Sequence, residues 1–473
     1  QIAELALAMC AREHDRRFFR RGVRADVTVL SSIPLGEDEL PGNKKLAEEL
    51  SHLGEIGSLL NPSEDEIDEL KAAAASCSDD LFAATAKTKL ESAAAICEKL
   101  SRRFTCTVAN PPYMGSSSFN PFMSKWIKKN YPDVKSDLFS SFVVRMFKFA
   151  KDHGECGVMS PFVWMFIGSY EKLRNEIIND RTLTSLIQLE YSGFAGATVP
   201  ICSYTFHNSF IKGYKGGYVR LSDFVGAAAQ APKALEAIQN PDCGWFYRRD
   251  AEAFRQIPGT PIAYWLGKGA NGSFEVGRPL AKIAKTRKGM FTGNNDLFLR
   301  QWYEVSASLI DIDYKFYSKG GPYRRWYGNR DYVVRWKDDG KEIKAFPGSG
   351  NINESDYFRS CLCWSLITSG DISFRALNTD EYVMGDAGPA CYPNPEMYWY
   401  LLGLLNSSAI QLLSKAINPT LNWSAGVVGS FPVASSRESS DGVKSLVVKQ
   451  VVESEADWDS FETSWDFKRN PLV

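Results

Sequence analysis

Four consecutive residues, Asn110-Pro111-Pro112-Tyr113, could do chemistry without any charged side chain. An exocyclic amine conjugated to a ring is a poor nucleophile, because its lone pair is delocalised. Its two hydrogens must be held while the nitrogen becomes tetrahedral. The carboxamide oxygen of Asn110 and the main-chain carbonyl of Pro111 can accept those hydrogens, and the stiffness of Pro111 and Pro112 fixes their directions. Tyr113 adds a flat ring on which a planar base can stack. This chemistry needs neither a histidine nor a metal. The chain has four histidines, His14, His52, His153 and His207, and none sits in a nucleophile or metal-ligand pattern.

The apolar run Phe104 to Ala109 reads as a short strand, and the prolines that follow must end any ladder, so the strand delivers a rigid loop at its carboxyl end. Helical spacing from Asp137 to Ala150, a short strand from Cys156 to Ser160 ending at Pro161, and a helix from Tyr170 to Asn179 come next. Leu183 to Leu189 and Ile201 to Phe206 are two further strands. Their Gly-rich connection is too short for a helical crossover and predicts an antiparallel pair. The alternation describes a largely parallel sheet with a terminal hairpin. In such open sheets ligands sit beyond the carboxyl ends of the strands, where Asn110–Tyr113 and Ser160–Pro161 both fall. Upstream, a helical pattern to about Phe19 precedes a predicted strand at Asp26 to Ser31. Residues 40 to 100 read as an all-helical insertion, with Pro62 and Ser63 opening one helix.

With 473 residues, 44% of them hydrophobic, the chain is long enough for two or more cores. A formal net charge of -1 leaves nucleic-acid binding to local basic patches. The ten cysteines are scattered without zinc-ligand spacing and read as reduced thiols. No apolar run approaches the roughly 20 residues that span a bilayer, and no signal-peptide pattern opens the chain, so a cytoplasmic protein with no membrane partner is expected. The chain begins inside a helical pattern with no capping residue. Near the other end Glu453 to Phe467, with Trp458, Phe461 and Trp465 at helical spacing, reads as a packed helix. Both ends are expected to be cut from something longer.

From about Gly226 the texture changes to a spacer rich in Ala and Gln, then to short segments dense in Gly, Tyr, Trp and Arg. The stretch Tyr314 to Trp336 interleaves Lys319, Arg324, Arg325, Arg330 and Arg335 with aromatic residues, among them Tyr317, Tyr323, Trp326, Tyr327, Tyr332 and Trp336. Cations beside rings suit phosphate and base contacts. A solvated, twisted hairpin with its aromatics packed beneath it is the alternative.

A strand running into Asn-Pro-Pro-Tyr is the signature of amino-group methyltransferases that use S-adenosylmethionine. The chain resembles in particular the adenine-N6 DNA methyltransferases of BREX phage-defence and restriction-modification systems. Ser136-Asp137-Leu138-Phe139, Met159-Ser160-Pro161-Phe162, Ser192-Gly193-Phe194-Ala195, Thr292-Gly293-Asn294-Asn295, Gly320 to Asn329 and Asn418 to Asn422 carry the likeness in order along most of the chain. The resemblance implies an α/β fold: a Rossmann-like methyltransferase sheet, incomplete at its N-terminal strand, over residues 1–225 with the helical insertion. A mixed α+β DNA target-recognition domain with a C-terminal helical segment would follow over 226–473.

It also implies S-adenosyl-L-methionine as methyl donor, double-stranded DNA with a flipped adenine as substrate, other BREX defence proteins as partners, and no metal. Asn110, Pro111, Pro112 and Tyr113 would be catalytic, and Tyr113 and Phe194 would sandwich the extruded base. For Phe194 a plug in the core is the other reading. Asp137 would organise the crevice near the donor, or serve only as an acid at a helix N-terminus. Lys319, Arg324, Arg325 and Arg330 would bind DNA. The chain departs from the family where a Gly-rich loop after the first strand and an acid for the cofactor ribose are expected. After Asp26 to Ser31 it has Ser32-Ile33 where the family commonly presents an acid. The main cofactor site is therefore expected to be absent and this chain alone inactive. Methylation of a protein glutamine, whose amide presents the same two hydrogens, and a noncatalytic DNA-binding role are the alternatives.

Overall fold

The computed structural model describes every residue except 37, 78–80, 192, 194–198, 351–353, 419–420, 435–439, 471 and 473. The chain forms two compact units, one of Gln1–Phe162 with Asn175–Phe246, the other of Val163–Arg174 with Tyr247–Val473.

The first unit is built on strands β1 (Phe104–Ala109), β2 (Ala150–Pro161), β3 (Thr182–Gln188), β4 (Ile201–His207) and β5 (Gly216–Arg220), in the order β1-β2-β4-β3-β5; β6 (Phe246–Arg249) begins at the unit's last residue. β1 lies parallel to β2, and β3 to β5, while β4 runs against both β2 and β3. Four strands thus point the same way. The antiparallel pair is β3 and β4, as the short connection requires, but β4 is inserted between β2 and β3 and not placed at a sheet end. Its residues Ile201, Cys202, Tyr204 and Phe206 are all buried, which suits an interior strand.

The helix Leu138–Phe149 packs Leu138, Phe139, Val143, Met146 and Phe147 inward, and the Phe147 ring meets Phe206 edge-on at 5.0 Å. Burying each such side chain stabilises by about 1.5–3 kcal/mol. β1 is the sheet's edge, and Val108 on it is 81% exposed.

The insertion is helical as expected, with Lys44–Ser51, Leu53–Ile56, Glu64–Ala75 and Leu81–Ser101. Ser63 opens the third of these in a reciprocal capping box with Glu66. Arg145, from the helix beneath, is 1% exposed and donates to the carbonyl oxygens of Ser58 and Leu100 and to Asn61 Oδ1, pinning the insertion in place. Burial pulls its guanidinium down to about 10, and it remains a cation at neutral pH.

Three expectations fail. Asp26 to Ser31 forms no strand: Lys99 Nζ holds Asp26 Oδ1 at 2.6 Å and Thr28 Oγ1 at 2.9 Å, so this extended segment is tied to the insertion by side chains and has no ladder. The spacer after Gly226 folds as a helix, Ala227–Gln239, its alanines outweighing the one Pro232 inside it. The last long helix is Ser440–Trp458, not Glu453 to Phe467; beyond it Ser460 Oγ turns back to the Asp457 carbonyl and Ser464 Oγ to Asp459 Oδ1, closing turns where helix was expected.

In the second unit β7 (Arg278–Pro279) pairs with a late strand, β16 (Pro432–Val433). Between them lie β8 (Lys285–Arg287), β9 (Leu299–Gln301), β10 (Tyr314–Ser318), β11 (Tyr332–Arg335), β12 (Cys361–Trp364), β13 (Phe374–Leu377), β14 (Tyr382–Met384) and β15 (Ala390–Tyr392). They form two four-stranded sheets, β14-β10-β11-β9 and β13-β12-β15-β8. Strand β12 is buried on both faces. Leu362 and Trp364 pack with Tyr398, Leu401, Leu405 and Ile410 from the helices Tyr398–Leu405 and Ser408–Ile417. Cys361 and Cys363 pack with Phe316, Val333 and Tyr382. The basic and aromatic stretch is the antiparallel pair β10–β11 with its connecting loop.

Candidate active site

β1 ends at Ala109 and the chain turns at once through Asn110, whose exposed side chain is followed by the buried Pro111. The Tyr113 hydroxyl donates to Asn110 Oδ1 at 3.1 Å and lies 3.4 Å from the carbonyl oxygen of Met159 on β2. The register that sets Ala109 against Val158 brings that carbonyl beside the loop. Burial pushes the Tyr113 hydroxyl above its ordinary range, so it stays a neutral donor at physiological pH. The residue as a whole remains 41% exposed. Asn110 Oδ1 has two lone pairs. One is held by Tyr113, which fixes the carboxamide's rotation, and one is open to an incoming N–H.

The far side of the loop is fastened by Asp137. It caps the helix Leu138–Phe149, and its Oδ1 accepts from the amides of Phe139 and Met114, each at 3.2 Å. The main chain repeats the tie: Leu138 N donates to the Met114 carbonyl and Ser116 N to that of Ser136, both at 2.9 Å. Burial pushes the Asp137 carboxyl up, against the pull of the Phe139, Met114 and Leu138 amides. At the end of β2, Ser160 Oγ and the Tyr204 hydroxyl are buried 3.2 Å apart, a polar pair satisfied inside the sheet. The structure thus brings Asn110, Pro111, Pro112, Tyr113 and Asp137 together. Phe194 lies outside the described residues.

In the second unit each of the four candidate DNA-binding cations rests on a ring. Lys319 Nζ is 4.3 Å from the centre of Tyr332, and the Arg325 guanidinium is 5.7 Å from that of Tyr323. Arg324 lies 4.9 Å from Trp458 and is ion-paired with Asp457. Arg330 is wedged between Tyr327 and Tyr382, at 3.9 and 5.5 Å. The loop that carries all four is shaped by Gly320, Gly321 and Gly328, all at positive φ, and by Asn329 Nδ2 donating to the Pro322 carbonyl at 2.9 Å. A side chain at Gly321 would meet Asn329 Nδ2 at 2.8 Å, so only glycine fits.

Residues 2–194 match the Eco57I restriction-modification methylase family. The adenine-specific methyltransferase PglX of Lacticaseibacillus casei (strain Zhang) is 33% identical over 397 residues, 79% of this chain and 33% of its own length. The adenine-specific methyltransferase BrxX of Escherichia coli O9:H4 (strain HS) is 29% identical over 530 residues, 100% of this chain and 42% of its own length. The chain is a homologue of these adenine-specific methyltransferases. It spans less than half the length of either relative. Among solved structures, the type IIL restriction-modification enzyme MmeI in complex with DNA shares the fold, with a TM-score of 0.51 at 13% identity over 78% of this chain and 51% of its own.

Two features of the site escaped the sequence reading. One is the Tyr113–Asn110 hydrogen bond, whose only trace in sequence is the three-residue spacing. The other is the second role of Asp137 as acceptor for Met114, which has no trace at all because it depends on a contact across 23 residues. Among the described residues there is no cluster of three or more His, Cys, Asp or Glu side chains arranged for a metal, and no helix long and apolar enough to cross a membrane.

Proposed function

We propose that this chain presents the amine-holding side of the active site of an enzyme that methylates the N6 amine of adenine in DNA, in BREX phage defence or restriction-modification. The observation that carries the reading is a carboxamide oxygen fixed by Tyr113 at the carboxyl end of β1, next to the ring of that exposed residue. The extruded adenine stacks on Tyr113, with Phe194 as its second face. One amine hydrogen goes to Asn110 Oδ1 and the other to the Pro111 carbonyl, which localises the nitrogen lone pair. The nitrogen lone pair would then form the new bond to the methyl carbon as the donor's sulfur–methyl bond breaks with its electron pair left on sulfur, and one amine proton would pass to solvent, since the loop itself holds no base.

S-adenosylmethionine is the donor on this reading and supplies the electrophilic methyl group. The residues present fit the acceptor better than the donor. The Asp137 carboxylate already receives the Met114 and Phe139 amides, so it organises the loop, and donor contacts fall to other residues. Residues 1–225 carry the catalytic role and 226–473 the target recognition, with Lys319, Arg324 and Arg325 on the DNA and Arg330 held behind them between Tyr327 and Tyr382. Other BREX proteins are the partners, and the cytoplasm is the place of action.

The test is transfer of a labelled methyl group from S-adenosylmethionine to duplex DNA by the full-length protein that carries these residues, with Asn110→Ala beside the parent. Losing one such preorganised acceptor lowers the rate by about 100- to 1000-fold. Equal rates would remove the mechanism, and label in protein instead of DNA would replace adenine by a glutamine amide as substrate.

A further inference from the structure

Asp356 is a buried carboxylate, 1% exposed, and three cations converge on it from two segments. Lys285 Nζ lies 2.6 Å from Oδ2 and 2.8 Å from Oδ1, Arg359 Nη1 lies 3.3 Å from Oδ1, and Arg287 Nε lies 3.7 Å from Oδ2. Lys285 and Arg287 are alternate residues of β8 and so share one face of it, opposite Tyr392 and Ala390 of β15. Arg359 sits 5.8 Å from the centre of the Tyr392 ring. One close cation is enough to offset a buried carboxylate, and Lys285 at 2.6 Å provides it. The other two positive charges have no such need there, yet they are held in place by the same anchor. All three side chains keep an open face, 40% exposed for Lys285, 41% for Arg287 and 58% for Arg359.

We infer that Lys285, Arg287 and Arg359 form a preorganised clamp for the phosphodiester backbone of DNA, with Asp356 as its internal strut. The inference rests on the proposal that the chain acts on DNA and adds a contact separate from the loop of Lys319, Arg324 and Arg325. That loop joins the opposite edge of the same sheet, through the bridge between Trp326 and Arg375 of β13. The order β13-β12-β15-β8 puts three strand spacings, about 14 Å, between the edges, close to the roughly 12 Å width of a major groove. Basic groups at both edges can therefore grip phosphates on either side of one groove. Anchored cations hold this position without the loss of side-chain freedom that a free lysine undergoes on binding.

The experiment is binding of the full chain to a fluorescently labelled duplex, without methyl donor, between ~50 and ~200 mM salt. The double variant Arg287→Gln/Arg359→Gln leaves Lys285 on Asp356, so the carboxylate stays paired. Each lost phosphate contact flattens the slope of log K against log salt by about 0.9, so the pair flattens it by about 1.8 and weakens binding about 30-fold near 0.15 M salt. Preference between duplexes of different sequence stays as in the parent. Lys449→Gln, on a side chain 71% exposed in the helix Ser440–Trp458, changes neither quantity.

An unchanged slope in a folded double variant overturns the clamp, and so does an altered sequence preference. If the double variant fails to fold, Arg359→Gln alone reads the same effect at about fivefold and a slope change of about 0.9. If the chain shows these changes but the full-length protein transfers no methyl group, the clamp is supported and the catalytic reading is removed. A chain that binds no duplex removes both.

Discussion

Asp137→Asn separates a carboxylate that shapes the loop from one that touches a ligand. The structure gives it two acceptor bonds through Oδ1, to the amides of Phe139 and Met114. Removing both with Asp137→Ala forfeits a helix cap, about 1 kcal/mol, and leaves the Met114 amide without its partner, about 1 kcal/mol more. Asparagine keeps an oxygen in the same place, so both bonds survive. It gives up the attraction of a negative charge for the helix N-terminus, about 0.3–1 kcal/mol, but it also escapes the cost of burying that charge.

The raised pKa decides between these two, because burial is the larger influence. A carboxyl raised in the folded state contributes stability that is fully present below its unfolded value of 3.8 and is lost as pH rises through the folded value. Both variants lack the titrating carboxyl, so both should gain on the parent as pH rises from about 4 to neutrality; Asp137→Asn should end within about 0.5 kcal/mol of the parent or slightly above, with Asp137→Ala about 2 kcal/mol below Asp137→Asn at both pH values. Urea midpoints at both pH values, with methyl transfer measured on the same samples, make the comparison. Asparagine as damaging to stability as alanine would refute the hydrogen-bond argument. Asparagine with full stability and no transfer would show that the charge serves a ligand.

Three further perturbations follow from the geometry. Tyr113→Phe keeps the stacking ring but frees the Asn110 carboxamide, so kcat/KM for methyl transfer should fall about fivefold, for a hydrogen bond of about 1 kcal/mol; Tyr113→Ala should fall much further, and equal losses would put the whole effect in the ring. Arg145→Met leaves the carbonyls of Ser58 and Leu100 and the Asn61 oxygen without their donor and should lower the free energy of urea unfolding by about 3 kcal/mol or more, a parent-like value counting against the pinning role. Arg324→Gln should flatten the salt dependence of duplex binding by about 0.9 at unchanged sequence preference, and Asp457→Asn, which releases Arg324 from its ion pair, should steepen it, as read by the same titration.

What the sequence could reveal depended on how local the cause was. Phe104 to Ala109 was legible to the residue because an apolar run and two prolines define a strand and its end without help from elsewhere. Asp137 as the start of one helix, and Pro62 and Ser63 as the opening of another, were legible for the same reason. Asp26 to Ser31 has an equally good alternation, but a strand exists only where a neighbour completes its ladder, and here Lys99 takes hold of the segment instead. The helix predicted over Trp458, Phe461 and Trp465 had the right apolar spacing. Trp465 nevertheless packs edge-on against Trp302, 5.4 Å away, and against Phe316 at 5.5 Å, contacts made after the chain has turned.

The cations show the limit most clearly, because charge is visible in a sequence while its availability is not. Arg330 and Arg325 stand five residues apart in one stretch and look equivalent there. Arg330 is sandwiched between Tyr327 and Tyr382. Among the described residues Arg325 has a single ring beside it, the half-exposed Tyr323. A guanidinium between two rings is already desolvated and held, so moving it to a phosphate would break both contacts, whereas one beside a single exposed ring can turn outward at little cost. Arg325→Gln should therefore weaken duplex binding with little change in stability. Arg330→Gln should lower the thermal midpoint of the second unit before it affects binding. The reverse order would mean that Arg330 leaves its rings to meet the DNA.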